Sequence, residues 1–181
     1  VTGKPELVHT YGYYMRKMIA DTRAKGAIPV LLSLTVRNIR SNGRLERGAG
    51  MYGAWTYELG KELNVPFVDL TNLMADQLEP MGEQAMSRMY PNDHTHTNLL
   101  GADSHAAAFV SGLKGLRPNP VEGWLSEKGE SIPADELTWL NLPRPANPEL
   151  PKLFLIGDST VRNERGDGNN GQWGWGDYLG K

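Results

Sequence analysis

A hydroxyl, an imidazole and a carboxylate are enough for proton-assisted nucleophilic attack, and this chain carries them in two short polar stretches. Ser159 comes directly after the apolar run Leu153-Phe154-Leu155-Ile156, between Gly157-Asp158 and Thr160. Ligands of open α/β sheets gather at the carboxyl ends of strands, where a serine hydroxyl is well placed as a nucleophile. Gly-Asp-Ser is also ordinary turn vocabulary, so position alone leaves both readings open. The second stretch is Asp93-His94-Thr95-His96. A carboxylate three residues before an imidazole can accept its Nδ1 proton, fix the tautomer and leave Nε2 to take a proton from a serine. The same Asp can instead cap the helix that follows, and Asp93, His94 and His96 are also donor types that suit a divalent ion. Spacing by itself favours the cap.

These groups need strands and helices to hold them. Residues 9 to 25 space Tyr11, Tyr14, Met15, Met18 and Ile19 as one helical stripe, and Gly26 follows where a helix end wants a positive φ. Ala27 to Thr35 is nearly all apolar, as in a strand covered on both faces. Tyr52, Trp55, Leu59 and Leu63 stripe a second helix, and Val65, Phe67, Val68 and Leu70 form a second short strand. This rhythm predicts a parallel sheet covered by helices. After short helical stretches between Leu73 and Met89, the loop 90–96 leads to Thr97 as an N-cap, and the next helix buries Ala102, Ala106, Phe109, Val110 and Leu113. Seven of the twelve prolines then fall between Pro118 and Pro151, which marks residues 117–151 as a Pro-rich linker or strap.

Composition narrows the function classes. With 39% apolar and 22% charged residues in 181, the chain is globular material of modest size. Nineteen Lys and Arg against twenty-one Asp and Glu leave no cationic surplus for nucleic acid or an anionic membrane. The longest apolar runs, such as 28–34, are far too short to cross a bilayer. With no cysteine there is no thiolate nucleophile, disulfide or Cys-ligated metal. Trp173, Trp175 and Tyr178 can stack on sugar rings or simply pack. Arg37 and Asn38, at the carboxyl end of a strand, can reach a carboxylated polysaccharide or remain solvated loop residues. His9, at a helix start, and His105, among alanines, read as structural.

Leu153-Phe154-Leu155-Ile156-Gly157-Asp158-Ser159-Thr160-Val161 resembles the first sequence block of the SGNH, or GDSL, hydrolase superfamily, and Asp93-His94-Thr95-His96 resembles its last. Closer detail is similar to the rhamnogalacturonan acetylesterase-like branch: Gly174-Trp175-Gly176, Val8-His9-Thr10-Tyr11-Gly12, and Pro29 to Asn38 as that branch's fourth strand. The resemblance implies an α/β fold of three layers, α/β/α, with a flavodoxin-like parallel sheet. It implies Ser159 as nucleophile with its backbone N–H as one oxyanion donor, His96 as general base and Asp93 as its orienting partner. It further implies a secreted or periplasmic serine esterase that deacetylates a plant cell-wall polysaccharide of the pectic kind, with no cofactor and no metal; Trp175, Arg37 and Asn38 are the candidates for contact with that substrate.

In that family the serine block precedes the Asp-x-x-His block, whereas here the order is reversed. The intervening blocks, which carry the remaining oxyanion donors and two strands, are absent from the chain. The expectation is therefore a fold that is incomplete or circularly permuted here. Residues 1–116 would be the C-terminal part of one esterase unit and 152–181 the N-terminal part of another, joined by the 117–151 strap. A second chain or tandem unit would supply the missing strands. A non-catalytic carbohydrate-binding or assembly module is the alternative.

Overall fold

A computed structural model describes residues 7–47 and 51–135. Within them the order of elements is helix α1 (Tyr11–Ala24), strands β1 (Leu31–Leu32), β2 (Arg40–Ser41) and β3 (Arg44–Leu45), then helix α2 (Tyr52–Leu63) and strand β4 (Phe67–Val68). Helices α3 (Leu70–Leu78), α4 (Glu83–Ser87), α5 (Leu99–Gly115) and α6 (Glu127–Ser131) follow. The expected Ser159 strand and the Trp173–Tyr178 stretch lie outside the described residues.

The centre is a parallel pair, β1 beside β4, in the register Leu31 to Phe67 and Leu32 to Val68. Leu31 N–H donates to Pro66 O at 2.8 Å and Ser33 N–H to Val68 O at 3.1 Å, which extends the ladder by a bond at each end. Side chains alternate across the pleat. Leu31 and Phe67 pack with Ile19 of α1 and Leu59 of α2, while Val68 and Leu32 pack with Met74 of α3 and Phe109 of α5. The sheet thus has helices on both faces, as the near-continuous apolar run 28–34 demanded. The paired strand is much shorter than the expected 27–35, because β4 is its sole neighbour among the described residues and is itself two residues long. The second strand also stops before Leu70: Asp69 accepts Asn72 N–H and turns the chain into α3.

Two helical stripes differ from expectation. In α1 Ile19 is buried, whereas Tyr14 and Met18 face solvent. In α2 the inward face is Thr56, Leu59 and Gly60, one step round from Tyr52 and Trp55, which are exposed. Both helices cover a two-strand patch, so each needs little apolar width. Gly26 does end α1 in the left-handed region, at φ +75°. Helix α5 buries all five predicted residues, but its N-cap is Asn98, whose side chain accepts Gly101 N–H at 3.2 Å; Thr97 is buried beneath it. At Gly112, α5 approaches β4 so closely that a Cβ would lie 2.3 Å from Val68 Cγ1.

The β2–β3 hairpin turns on Asn42 (φ +50°) and Gly43 (φ +79°), the Asn-Gly pair that suits a two-residue turn. The described part of the Pro-rich segment, 117–135, lies along α5. Val121 is buried, and Lys114 Nζ donates to the carbonyls of Gly129, Glu130 and Ile132 at 3.3, 2.8 and 2.6 Å. Ser111 holds the end of the segment: its hydroxyl donates to Pro133 O at 2.8 Å and its carbonyl accepts Asp135 N–H at 2.9 Å.

Candidate active site

The carboxyl ends of β1 and β4 are tied by short side chains. Ser33 Oγ donates to Asp69 Oδ1 at 2.9 Å and accepts Thr71 N–H at 2.9 Å, while the Thr71 hydroxyl donates to Leu34 O. Beyond them the chain 34–38 runs toward loop 90–98. Tyr90 donates its hydroxyl to Val36 O at 2.9 Å, and Asn38 N–H donates to His94 O at 2.8 Å. The Asn38 side chain donates to Ser87 Oγ at 3.3 Å. On its other flank the loop is closed by Asn98, which donates its N–H to Met89 O and its Nδ2 to Arg88 O, both at 2.8 Å. Loop 90–98 is thus held at both ends, one of them by the extension of β1.

Within the loop, Asp93 organises the next three residues. Oδ1 accepts the N–H of Thr95 and of His96, each at 2.7 Å, and Oδ2 faces His96 Nδ1 at 2.8 Å. Partial burial alone would raise the Asp93 carboxyl, but the His96 and Thr95 N–H bonds and the His96 ring outweigh it and bring the group down to about 2. It is a carboxylate at any ordinary pH. A carboxylate accepts only, so the neutral His96 ring carries its proton on Nδ1 and its basic lone pair on Nε2. The pair is accessible, with side-chain exposures of 40% for Asp93 and 32% for His96. Asp93 therefore orients an imidazole; the helix cap that spacing favoured is made by Asn98 instead. His94 turns its Nδ1 to Thr95 Oγ1 at 2.8 Å. Among the described residues no three His, Asp or Glu side chains are grouped to hold a metal.

An imidazole held in this tautomer is of a kind that can accept a proton at Nε2. Of the other sequence candidates, Arg37 is half-buried in the segment before Asn38, and Asn38 anchors the loop through its backbone. Ser159 and Trp175 lie outside the described residues, so the hydroxyl that His96 would serve is not among them. His105 is buried in α5, with Nε2 at 3.4 Å from the Tyr90 hydroxyl, and burial brings its imidazole down to about 3. The sequence reading did not single out Tyr90, Ser87, Ser33 or Asp69. Their partners lie 36 to 54 residues away, and no local pattern signals such pairing.

No protein-family model matches the chain. It is 28% identical over 111 residues to a rhamnogalacturonan acetylesterase of Emericella nidulans, covering 61% of this chain and 45% of that protein. It is 31% identical over 131 residues to the rhamnogalacturonan acetylesterase RhgT of Bacillus subtilis, covering 62% of this chain and 56% of that one. A probable rhamnogalacturonan acetylesterase of the same bacterium, YesY, is 27% identical over 124 residues, with 66% and 57% covered. The chain is thus related to the rhamnogalacturonan acetylesterases, and it spans about half the length of the curated relatives it matches.

Proposed function

We propose that this chain works as part of a serine esterase that deacetylates a pectic polysaccharide outside the cytoplasm, with Ser159, His96 and Asp93 as its Ser-His-Asp set. The observation that supports it is the Asp93 carboxylate at 2.8 Å from His96 Nδ1, held by two backbone N–H groups, in a chain related to enzymes named for that reaction. His96 Nε2 takes the proton of the Ser159 hydroxyl as Oγ attacks the acetyl carbonyl, and Asp93 stabilises the imidazolium that results. The Ser159 N–H contributes one donor to the oxyanion. Collapse returns the proton to the departing sugar oxygen and leaves acetyl-serine. Water, deprotonated by the same His96, then releases acetate and restores the hydroxyl. No step calls on a cofactor. Trp175, Arg37 and Asn38 are assigned to the polysaccharide, and a second chain or tandem unit to the remaining donors and strands of a flavodoxin-like, permuted or divided sheet.

Acetate release from acetylated rhamnogalacturonan tests the reading. The chain, purified with any polypeptide that accompanies it, should release acetate, and Ser159→Ala and His96→Ala should each abolish release. A second reading is a non-catalytic carbohydrate-binding or assembly module. Polysaccharide binding without turnover would favour that module and defeat the esterase.

A further inference from the structure

His105 precedes three alanines in α5 and is 2% exposed, and Tyr90, the first residue of loop 90–98, is 6% exposed. An imidazole and a phenol buried in apolar surroundings need hydrogen bonds to be held there. The fold supplies them by bringing three distant segments to one point. Tyr90 Oη lies 2.9 Å from the carbonyl of Val36, in the extension of β1, and 3.4 Å from His105 Nε2 in α5, with the two rings tilted by 56°.

A count of protons fixes the direction of these bonds. The phenol has one proton and a carbonyl only accepts, so the Tyr90 proton goes to Val36 O and a lone pair of Oη faces His105. The neutral His105 ring therefore carries its proton on Nε2, the opposite tautomer to His96. Burial keeps both groups uncharged: it brings the imidazole down to about 3 and pushes the phenol up. His105 Nε2–H, Tyr90 O–H and Val36 O thus line up in one sense, and each donor polarises the next. Two residues beyond Val36, Asn38 N–H donates to His94 O, so the loop is fastened to segment 34–38 at Tyr90 and at His94, on either side of Asp93. We infer that Tyr90 and His105 are positioning residues for His96: their donor chain to Val36 O sets where loop 90–98 stands over the sheet, and so where His96 Nε2 meets the hydroxyl it serves. The inference deepens the esterase reading and rests on it for the link to turnover. The donor chain itself requires no chemistry.

Three variants test it. Tyr90→Phe keeps the ring and removes the hydroxyl, His105→Leu removes the donor, and His105→Gln keeps an N–H donor near the place of Nε2. Nitrogen NMR of the wild-type histidine rings should find the proton of His105 on Nε2 and that of His96 on Nδ1. Tyr90→Phe and His105→Leu should lower kcat for acetate release roughly tenfold or more, as displacement of a base does, with little change in KM, and His105→Gln should restore most of the loss. A loss of fold alone is separated by hydrogen exchange, with the Asn38 amide followed against the Ala108 amide inside α5. In Tyr90→Phe and His105→Leu the Asn38 amide should exchange roughly threefold to tenfold faster relative to Ala108, the range one hydrogen bond spans. Tyr90→Phe carries the test by itself where His105→Leu does not fold. A His105 proton on Nδ1, wild-type kcat in Tyr90→Phe, or Asn38 and Ala108 amides that speed up together would overturn the inference. The expected tautomers and exchange with no acetate release by the wild type would instead sustain the donor chain as the loop's anchor and defeat the esterase reading.

Discussion

Acid should unfold this protein through His105. The ring is buried in α5, facing the Tyr90 hydroxyl at 3.4 Å, and burial holds it neutral down to about 3 against an ordinary 6.5. The unfolded chain therefore binds the proton more tightly than the folded one between those values. The stability involved is fully present above pH 6.5 and is lost as pH falls toward 3, at about 1.4 kcal/mol per pH unit. At pH 4.5 the loss from this one residue is roughly 2–3 kcal/mol, a large share of the 5–15 kcal/mol typical of a domain. His105→Gln keeps a polar group opposite Tyr90 but cannot titrate. It should cost a fixed amount at every pH and remove this slope. Urea unfolding followed by tryptophan fluorescence at pH 7.0, 5.5 and 4.5 reads the difference. With a denaturant slope of about 2 kcal/mol per molar, the wild-type midpoint should fall roughly 1 M further than the variant's across that range. Other titrating groups, Asp93 included, act equally in both proteins and cancel. Midpoints that fall in parallel would show that the buried ring is not what resists protonation.

Asp93→Asn retains an oxygen for the Thr95 and His96 N–H groups but would accept poorly from Nδ1, so turnover on an acetyl ester should fall about 10³–10⁴-fold while binding persists. The Asp93 carboxylate, brought down to about 2, contributes stability above its ordinary 3.8 that fades as pH falls through about 2. A carboxyl-carbon NMR titration should therefore find it ionised at pH 3. Gly112→Ala would drive a methyl to 2.3 Å from Val68 Cγ1 and press α5 off β4, so a loss of roughly 1–3 kcal/mol in unfolding free energy is expected by chemical denaturation. Lys114→Met removes the donor shared by Gly129, Glu130 and Ile132, and limited proteolysis should then cut within 123–132 faster than in the wild type.

Legibility in the sequence followed the range of the interaction. Gly26 at the end of α1 and the buried face of α5 were readable because a cap and a helical stripe are decided within a few residues. The alternation of helix and strand was readable too, since a run such as 28–34 needs cover on both faces. Which part of that run would pair was not, because pairing depends on a partner 36 residues on, and β4 offers only Phe67 and Val68. Tyr52 and Trp55 show the same limit from the other side. Their spacing fits an inward stripe as well as that of Thr56 and Leu59, and packing against the sheet chose the latter. The Asn42-Gly43 hairpin was within reach of local reading, but its two-residue strands, centred on charged and polar residues, carry no alternation to announce it.

The bond between Asp93 and His96 is local, although spacing by itself favoured a helix cap, which Asn98 makes instead. Three residues of separation suffice for one carboxylate to take two backbone N–H groups and a ring nitrogen, so the orientation of the imidazole is settled inside a four-residue loop. Long-range bonds, from Asn38 N–H to His94 O and from Tyr90 to Val36 O, decide where the loop stands and not which way the ring faces. On the proposed mechanism the imidazole thus pays none of its orientational entropy when a hydroxyl arrives, and the arrangement is indifferent to the chain order of nucleophile and base. A serine placed after His96 in sequence, or one brought by a companion unit, meets the same tautomer. The demands that remain are positional, and they fall on the carboxyl end of β1, from which residues 34–38 run to loop 90–98. Shortening that run, for example by deleting Thr35, should detach the Asn38 anchor, slow acetyl-ester turnover and leave the Asp93–His96 pairing detectable by NMR; loss of the pairing with the anchor would mean that the loop does not orient its own base.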